Sequence, residues 1–135
     1  PEVKDWPRVL TIASLIELET GGDGDRATIS AVIRNRLRKG MPLQIDASLL
    51  YGLQKWRRLT YRDYRTVPGP YNLYRVKGLP PGPICSPSWK SVEAALNPSD
   101  SDALYYVAIP GKGTVFSRSF EEHKVRVKAL RAAGR

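Results

Sequence analysis

The chain has 135 residues, enough for one domain with a buried core. At 41% hydrophobic and 26% charged it has the composition of a globular protein, not of a disordered segment. One cysteine, Cys85, excludes an internal disulfide, and with His123 the only histidine no Cys/His zinc site can be assembled. The net charge of +9 draws such a chain toward polyanions: nucleic acid, anionic lipid or anionic wall polymer. No run approaches the roughly 18 apolar residues of a membrane span. The chain starts at Pro1, which reads as a processed product or a piece of a longer protein.

In chain order, the first helix is expected over residues 8–20. Asp5 is its candidate N-cap and Pro7 sits where a first turn tolerates proline. Val9, Leu10, Ile12, Ala13, Leu15, Ile16 and Leu18 make most of its circumference apolar, so the helix should be largely buried. Gly21 and Gly22 end it. Asp23 or Asp25 caps a second helix over residues 26–39, with Ile29, Val32, Ile33 and Leu37 at helical spacing. Arg34, Arg36, Arg38 and Lys39 complement the dipole of its last turns, and Gly40 closes it. A short third helix is expected over residues 47–53, capped by Asp46 and ended near Gly52. Residues 54–87 show no period and hold most of the Tyr, Arg, Pro and Gly, which reads as an ordered, functional loop lining a cleft. A helix over 88–96 stops at Asn97-Pro98. Residues 104–108 and 114–117 read as two strands of a hairpin turning through 110–113. Ser119 with Glu122 is a capping-box pattern that starts a last helix running to about residue 133. The fold class is therefore α+β: one mainly helical domain, residues 1–135, with a small antiparallel hairpin and a long ordered loop region.

Glu17 and Glu19 are the only charges in the body of the first helix. At 100° per residue they lie about 160° apart. Glu19 follows Ile16, Leu15 and Ile12 by three, four and seven residues and shares their apolar stripe. Ionising a carboxyl there is unfavourable, and the negative helix terminus adds to the effect, so its pKa should rise. That keeps it protonated near neutral pH, as a general acid requires. Glycines at the helix end leave room for a substrate. The alternative for an isolated glutamate is a surface ion pair.

Glu19 is not isolated. Residues 13–20, Ala-Ser-Leu-Ile-Glu-Leu-Glu-Thr, resemble the A-S-I-[VI]-E-K-E-T signature of the endolytic murein transglycosylases, the YceG-like family. The same order of family segments continues through Ser30–Leu37, Gly40–Asp46, Leu50–Gly52, Pro70–Tyr74, Gly78–Ile84 and Ala94–Pro98. Leu104–Ala108 follows soon after, so the likeness spans about residues 10–125. The resemblance makes Glu19, the second glutamate of E-x-E-T, the catalytic residue. Departures are Leu18 for the usual Lys, Ile45-Asp46-Ala47-Ser48 for T-D-P-T, and Leu73 for Thr, the last expected to alter a hydrogen bond to sugar.

What the resemblance implies is cleavage of the bond between N-acetylmuramic acid and N-acetylglucosamine inside a peptidoglycan strand, without water, leaving a 1,6-anhydro end. One acid suffices for this, because the sugar's own acetamido and 6-hydroxyl groups replace the second carboxylate of ordinary glycosidases. No metal or cofactor is required. Gln44, Asp46, Tyr51, Tyr71, Asn72 and Tyr74 are the expected glycan-binding residues, with Asp46 equally readable as an N-cap and the tyrosines as loop packing. Glu17 and Thr20 are expected behind the acid, in supporting or structural roles. Gly78 to Ile84 would form a rigid rim. His123 reads as a surface or core group.

Relatives also carry an N-terminal membrane anchor and a wall-binding module, neither within this sequence. The implied setting is extracytoplasmic, beside peptidoglycan synthases, with the parent held at the membrane. Three rival readings remain. A muramidase would need a second carboxylate, for which Asp46 is the candidate. A polyanion binder would use the aromatic and basic residues at 55–58 and 61–65, although no specific nucleic acid is expected. A non-catalytic wall-binding domain is the third.

Overall fold

The computed structural model describes residues 5–109 and 113–133. Its elements are α1 (Trp6–Glu19), a single 3-10 turn (Asp23–Asp25), α2 (Arg26–Lys39), α3 (Asp46–Leu53), α4 (Tyr61–Thr66), α5 (Trp89–Leu96), β1 (Tyr105–Ile109), β2 (Gly113–Ser117) and α6 (Phe120–Ala133). The expected α+β class holds: helices build the body, and β1 and β2 pair antiparallel with Tyr106 opposite Phe116 and Val107 opposite Val115. The hairpin turn at 110–112 lies outside the described residues.

α1 is the axis of the core. Asp5 caps it, its side chain accepting from the Arg8 N–H at 3.2 Å, and Pro7 lies in the first turn. Ile12, Leu15 and Ile16 are wholly buried against α2 and α5, with Ile29, Ile33, Val92 and Ala95 opposite. Burying each such side chain stabilises the fold by roughly 1.5–3 kcal/mol. Leu10 and Leu18 lie on the helix's outer edge and stay exposed.

α2 covers residues 26–39 as expected and ends at Gly40, whose φ of 69° is the left-handed conformation that glycine adopts freely. Its last turn is not simply a cationic surface, however. Arg36 is buried; its guanidinium donates to the Leu104 carbonyl at 2.7 Å and the Pro42 carbonyl at 2.8 Å. Asn35, beside it, donates to the Ser101 and Ala103 carbonyls, both at 2.9 Å. These two side chains fasten the segment leading into β1 onto α2, and with it the hairpin.

Three local expectations need correction. Asp46 is the first residue of α3, not its cap; Ile45 holds the cap position with no side-chain bond. α3 ends at Gln54 in the left-handed conformation, with φ 57°, and Gly52 lies inside the helix. Gly52 is required there for another reason. A Cβ would stand 2.8 Å from the Cβ of Tyr71, so the loop packs directly on the helix backbone. Gly52→Ala is expected to destabilise the fold by about 1–3 kcal/mol in urea titrations, despite alanine's better helix propensity. Finally, residues 54–87 are not wholly irregular. α4 forms within them behind a complete capping box, Thr60 with Asp63, reinforced by Arg57 on Asp63 at 2.8 Å.

Candidate active site

Glu19 is the last residue of α1. Its side chain is partly buried at the floor of a cleft of about 330 Å3. Burial raises its carboxyl from 4.5 to about 7, the charge of Asp46 adds to the rise, and a hydrogen bond from Tyr106 opposes it. Tyr106 comes from β1, and its hydroxyl donates to Glu19 Oε1 at 2.7 Å. Among the described residues the carboxyl is thus held by one neutral donor, with no cation pairing it.

Asp46 faces the same cleft from the start of α3. Its two oxygens accept from the hydroxyls of Tyr64, at 3.2 Å, and Tyr74. Those two rings lie 4.3 Å apart. Burial and the Asp46 carboxylate push both phenols up, so they stay protonated donors. Leu43 and Gln44, just before α3, also line the cleft, with Gln44 held at φ 54° while its N–H donates to the Leu73 carbonyl. A non-glycine residue in that conformation is a small strain, common where a side chain must be aimed.

The far wall comes from residues the sequence did not point to. Arg36, Tyr105, Tyr106, Phe120 and His123 all line the cleft. Arg36 lies 4.9 Å from the Tyr105 ring centre, giving the wall a fixed positive charge. His123 is neither bare surface nor plain core: its ring stacks on Tyr105 at 5.2 Å. Burial and the nearby Arg36 lower its pKa, so it is neutral at physiological pH. Its Nδ1 is buried with no partner among the described residues.

Several expected residues lie elsewhere. Glu17 points away from Glu19. Its Oε1 accepts from the Ser88 N–H at 2.5 Å and the Ser91 hydroxyl at 3.2 Å, and Arg26 lies at 3.6 Å. These bonds, Ser88 foremost, hold its carboxyl below the ordinary value and tie the start of α5 to α1. Thr20 closes a local turn on Gly22. Tyr51 and Tyr71 pack on each other, centroids 5.0 Å apart, at the edge of the core. Asn72 is 1% exposed with its amide fully committed to the loop, and Leu73 is in the core, so its change from Thr removes no cleft contact. Of the long loop, Tyr74 alone among the described residues lines this cleft. The 78–84 segment is a strap over α1, with the Ile84 N–H donating to the buried Ser14 hydroxyl at 3.0 Å, not a rim.

Glu19 is thus a helix-borne carboxyl with a raised pKa in a polar, aromatic cleft, the setting that defines the acid–base class of site. Comparison with known proteins gives the family. The YceG-like family model matches residues 2–129, and the chain belongs to that family. It is 44% identical over 117 residues to the endolytic murein transglycosylase of Bacillus subtilis, covering 86% of this chain and 32% of that protein. It is 38% identical over 119 residues to the protein of the same name from Streptococcus pneumoniae strain D39, covering 84% and 22%. The crystal structure of a YceG-like protein from Listeria monocytogenes superposes with a TM-score of 0.81 at 44% identity, over 87% of this chain and 38% of that one. The chain thus spans a third or less of the curated relatives it matches. Among the described residues no helix is long and apolar enough to cross a membrane.

Proposed function

We propose that residues 1–135 form the catalytic domain of an endolytic peptidoglycan lytic transglycosylase, working outside the cytoplasmic membrane in a parent protein anchored through another segment. The observation that carries this reading is a Glu19 carboxyl raised to about 7 in the cleft. Protonated Glu19 donates to the oxygen linking N-acetylmuramic acid to N-acetylglucosamine as that bond breaks. The muramyl acetamido group stabilises the positive charge on its ring. Glu19, now a carboxylate steadied by Tyr106, takes the proton of the 6-hydroxyl as that oxygen closes on C1. The acid is regenerated and a 1,6-anhydro end is left. Peptidoglycan strands are the substrate, and peptidoglycan synthases are the natural neighbours of such an activity.

A second reading has one observation in its favour: Asp46 shares the cleft, as a water-activating carboxylate would. Two tyrosines already occupy its oxygens. Peptidoglycan digested with the protein and analysed by mass spectrometry separates the two. Products lighter by one water than reducing-end muropeptides support the transglycosylase; reducing ends mean hydrolysis.

The acid also sets a pH profile. The rate constant kcat/KM is expected to fall about tenfold per pH unit above pH 7, where Glu19 loses its proton. Asp46→Asn removes a charge that raises Glu19, so the falling limb moves to lower pH. Tyr106→Phe removes a bond that favours the carboxylate, so the limb moves to higher pH. Limbs that stay in place in both variants would assign the titration to another group.

A further inference from the structure

The cleft does not end at Phe120 and His123. Both residues also border a second depression of about 450 Å3, which runs along α6 and is otherwise lined by Lys124, Val127, Lys128 and Arg131. Positions 120, 123, 124, 127, 128 and 131 follow helical spacing, so one face of α6 leads away from the cleft for about 16 Å. Among the described residues no acidic side chain lines it. Among the described residues Lys124 has only a loose exposed contact, 3.6 Å from Glu121, while Lys128 and Arg131 take part in no ion pair. Three cations on a face continuous with the reaction centre are placed for an anionic part of the same substrate.

We propose that this α6 groove binds the carboxylates carried by the muramyl residues next to the cut, and so selects substituted peptidoglycan over neutral glycan. The inference rests on the glycan-cleaving reading of the Glu19 cleft. A chain cut in its interior must extend past the reacting bond on both sides. Phe120 supplies a hydrophobic step between the two depressions, with Lys124 lying 5.2 Å from its ring centre. Beyond it, Lys128 and Arg131 meet the anionic substituent. Two sources of carboxylate share this chemistry: the peptide stem, and the lactyl group exposed when the stem is removed.

Charge reversal tests it, because these side chains are exposed and their replacement leaves the core untouched. Binding is measured for Glu19→Gln, alone and combined with Lys128→Glu and Arg131→Glu. The probes are peptide-bearing strands, amidase-stripped strands with free lactyl carboxylates, and a neutral N-acetylglucosamine oligomer. The expected result is a weakening of about 5- to 30-fold for carboxylate-bearing strands, with binding of the neutral oligomer unchanged. Loss on the peptide-bearing strands alone assigns the peptide carboxylates, loss on the stripped strands alone assigns the lactyl carboxylate, and loss on both means that the groove takes either carboxylate. Equal weakening on all three, or none, overturns the proposal. In the active protein the same reversal should raise KM and leave kcat. If wild type releases no anhydro product, the transglycosylase reading fails, while the binding comparison still decides the groove.

Discussion

Glu19→Gln is expected to lower the release of anhydro products by about 10³-fold or more, and to make the protein more stable above pH 7. The activity loss follows from removing the proton donor while keeping shape and the acceptor for the Tyr106 hydroxyl. The stability gain follows from linkage. In the unfolded chain Glu19 titrates near 4.5, and in the folded protein near 7. Below 4.5 both states hold the proton and the site costs nothing. Between 4.5 and 7 the unfolded state releases it while the folded state retains it, so unfolding becomes steadily more favourable. Above 7 the penalty is constant, at most about 3 kcal/mol, and less to the extent that water reaches the carboxyl. Glutamine carries no charge to bury. Urea denaturation should therefore give nearly equal stabilities at pH 4.5 and a variant more stable by about 1–3 kcal/mol at pH 8. A difference that does not change with pH would mean that the carboxyl titrates normally in the folded protein.

The half of the site on α1 was legible because a helix writes its burial into its spacing. Ile12, Leu15 and Ile16 define a stripe, and a carboxyl on that stripe stands out without any coordinates. The opposite wall was not legible. Tyr106 stands 87 residues from Glu19, on a two-stranded hairpin whose residues are mostly half-buried on both faces, so alternation does not say which side meets the cleft. Arg36 is an arginine in a last helical turn, where the dipole explains a cation equally well at the surface. Only the carbonyls of Pro42 and Leu104, arriving from distant segments, reveal its burial. Asp46 read equally well as a cleft residue and as a cap, since an aspartate before a helix is a good cap by propensity; only the structure shows it in the cleft lining, with two tyrosine hydroxyls from the long loop on its oxygens. α4 was readable in principle from Thr60 and Asp63, a capping pair hidden among arginines and tyrosines that carry no apolar period.

The long loop also missed its role in the sequence reading, and Asn72 shows why. It was expected to touch sugar, but it shapes the segment that presents Tyr64 and Tyr74. Its amide donates to the Tyr64 carbonyl at 3.2 Å and the Val67 carbonyl at 2.8 Å, and its oxygen accepts from the Tyr74 N–H at 3.1 Å. One buried side chain thus sets the backbone at both residues that grip Asp46. Asn72→Ala leaves two carbonyls and one N–H without partners in a largely buried place, where each loss costs about 1–3 kcal/mol unless water enters. The expected destabilisation is about 2–4 kcal/mol in a denaturant titration. A second effect should accompany it if Asn72 positions the tyrosines. With Tyr64 and Tyr74 displaced, Asp46 loses its anchors, so kcat/KM should fall even where the variant is fully folded. The double variant with Asp46→Asn separates this from simple loosening of the fold. If the loop acts through Asp46, the two losses in kcat/KM overlap, and the double variant is little worse than the poorer single one. If the losses multiply, Asn72 supports the fold alone, and the grip on Asp46 is set by α3 and the tyrosine rings themselves.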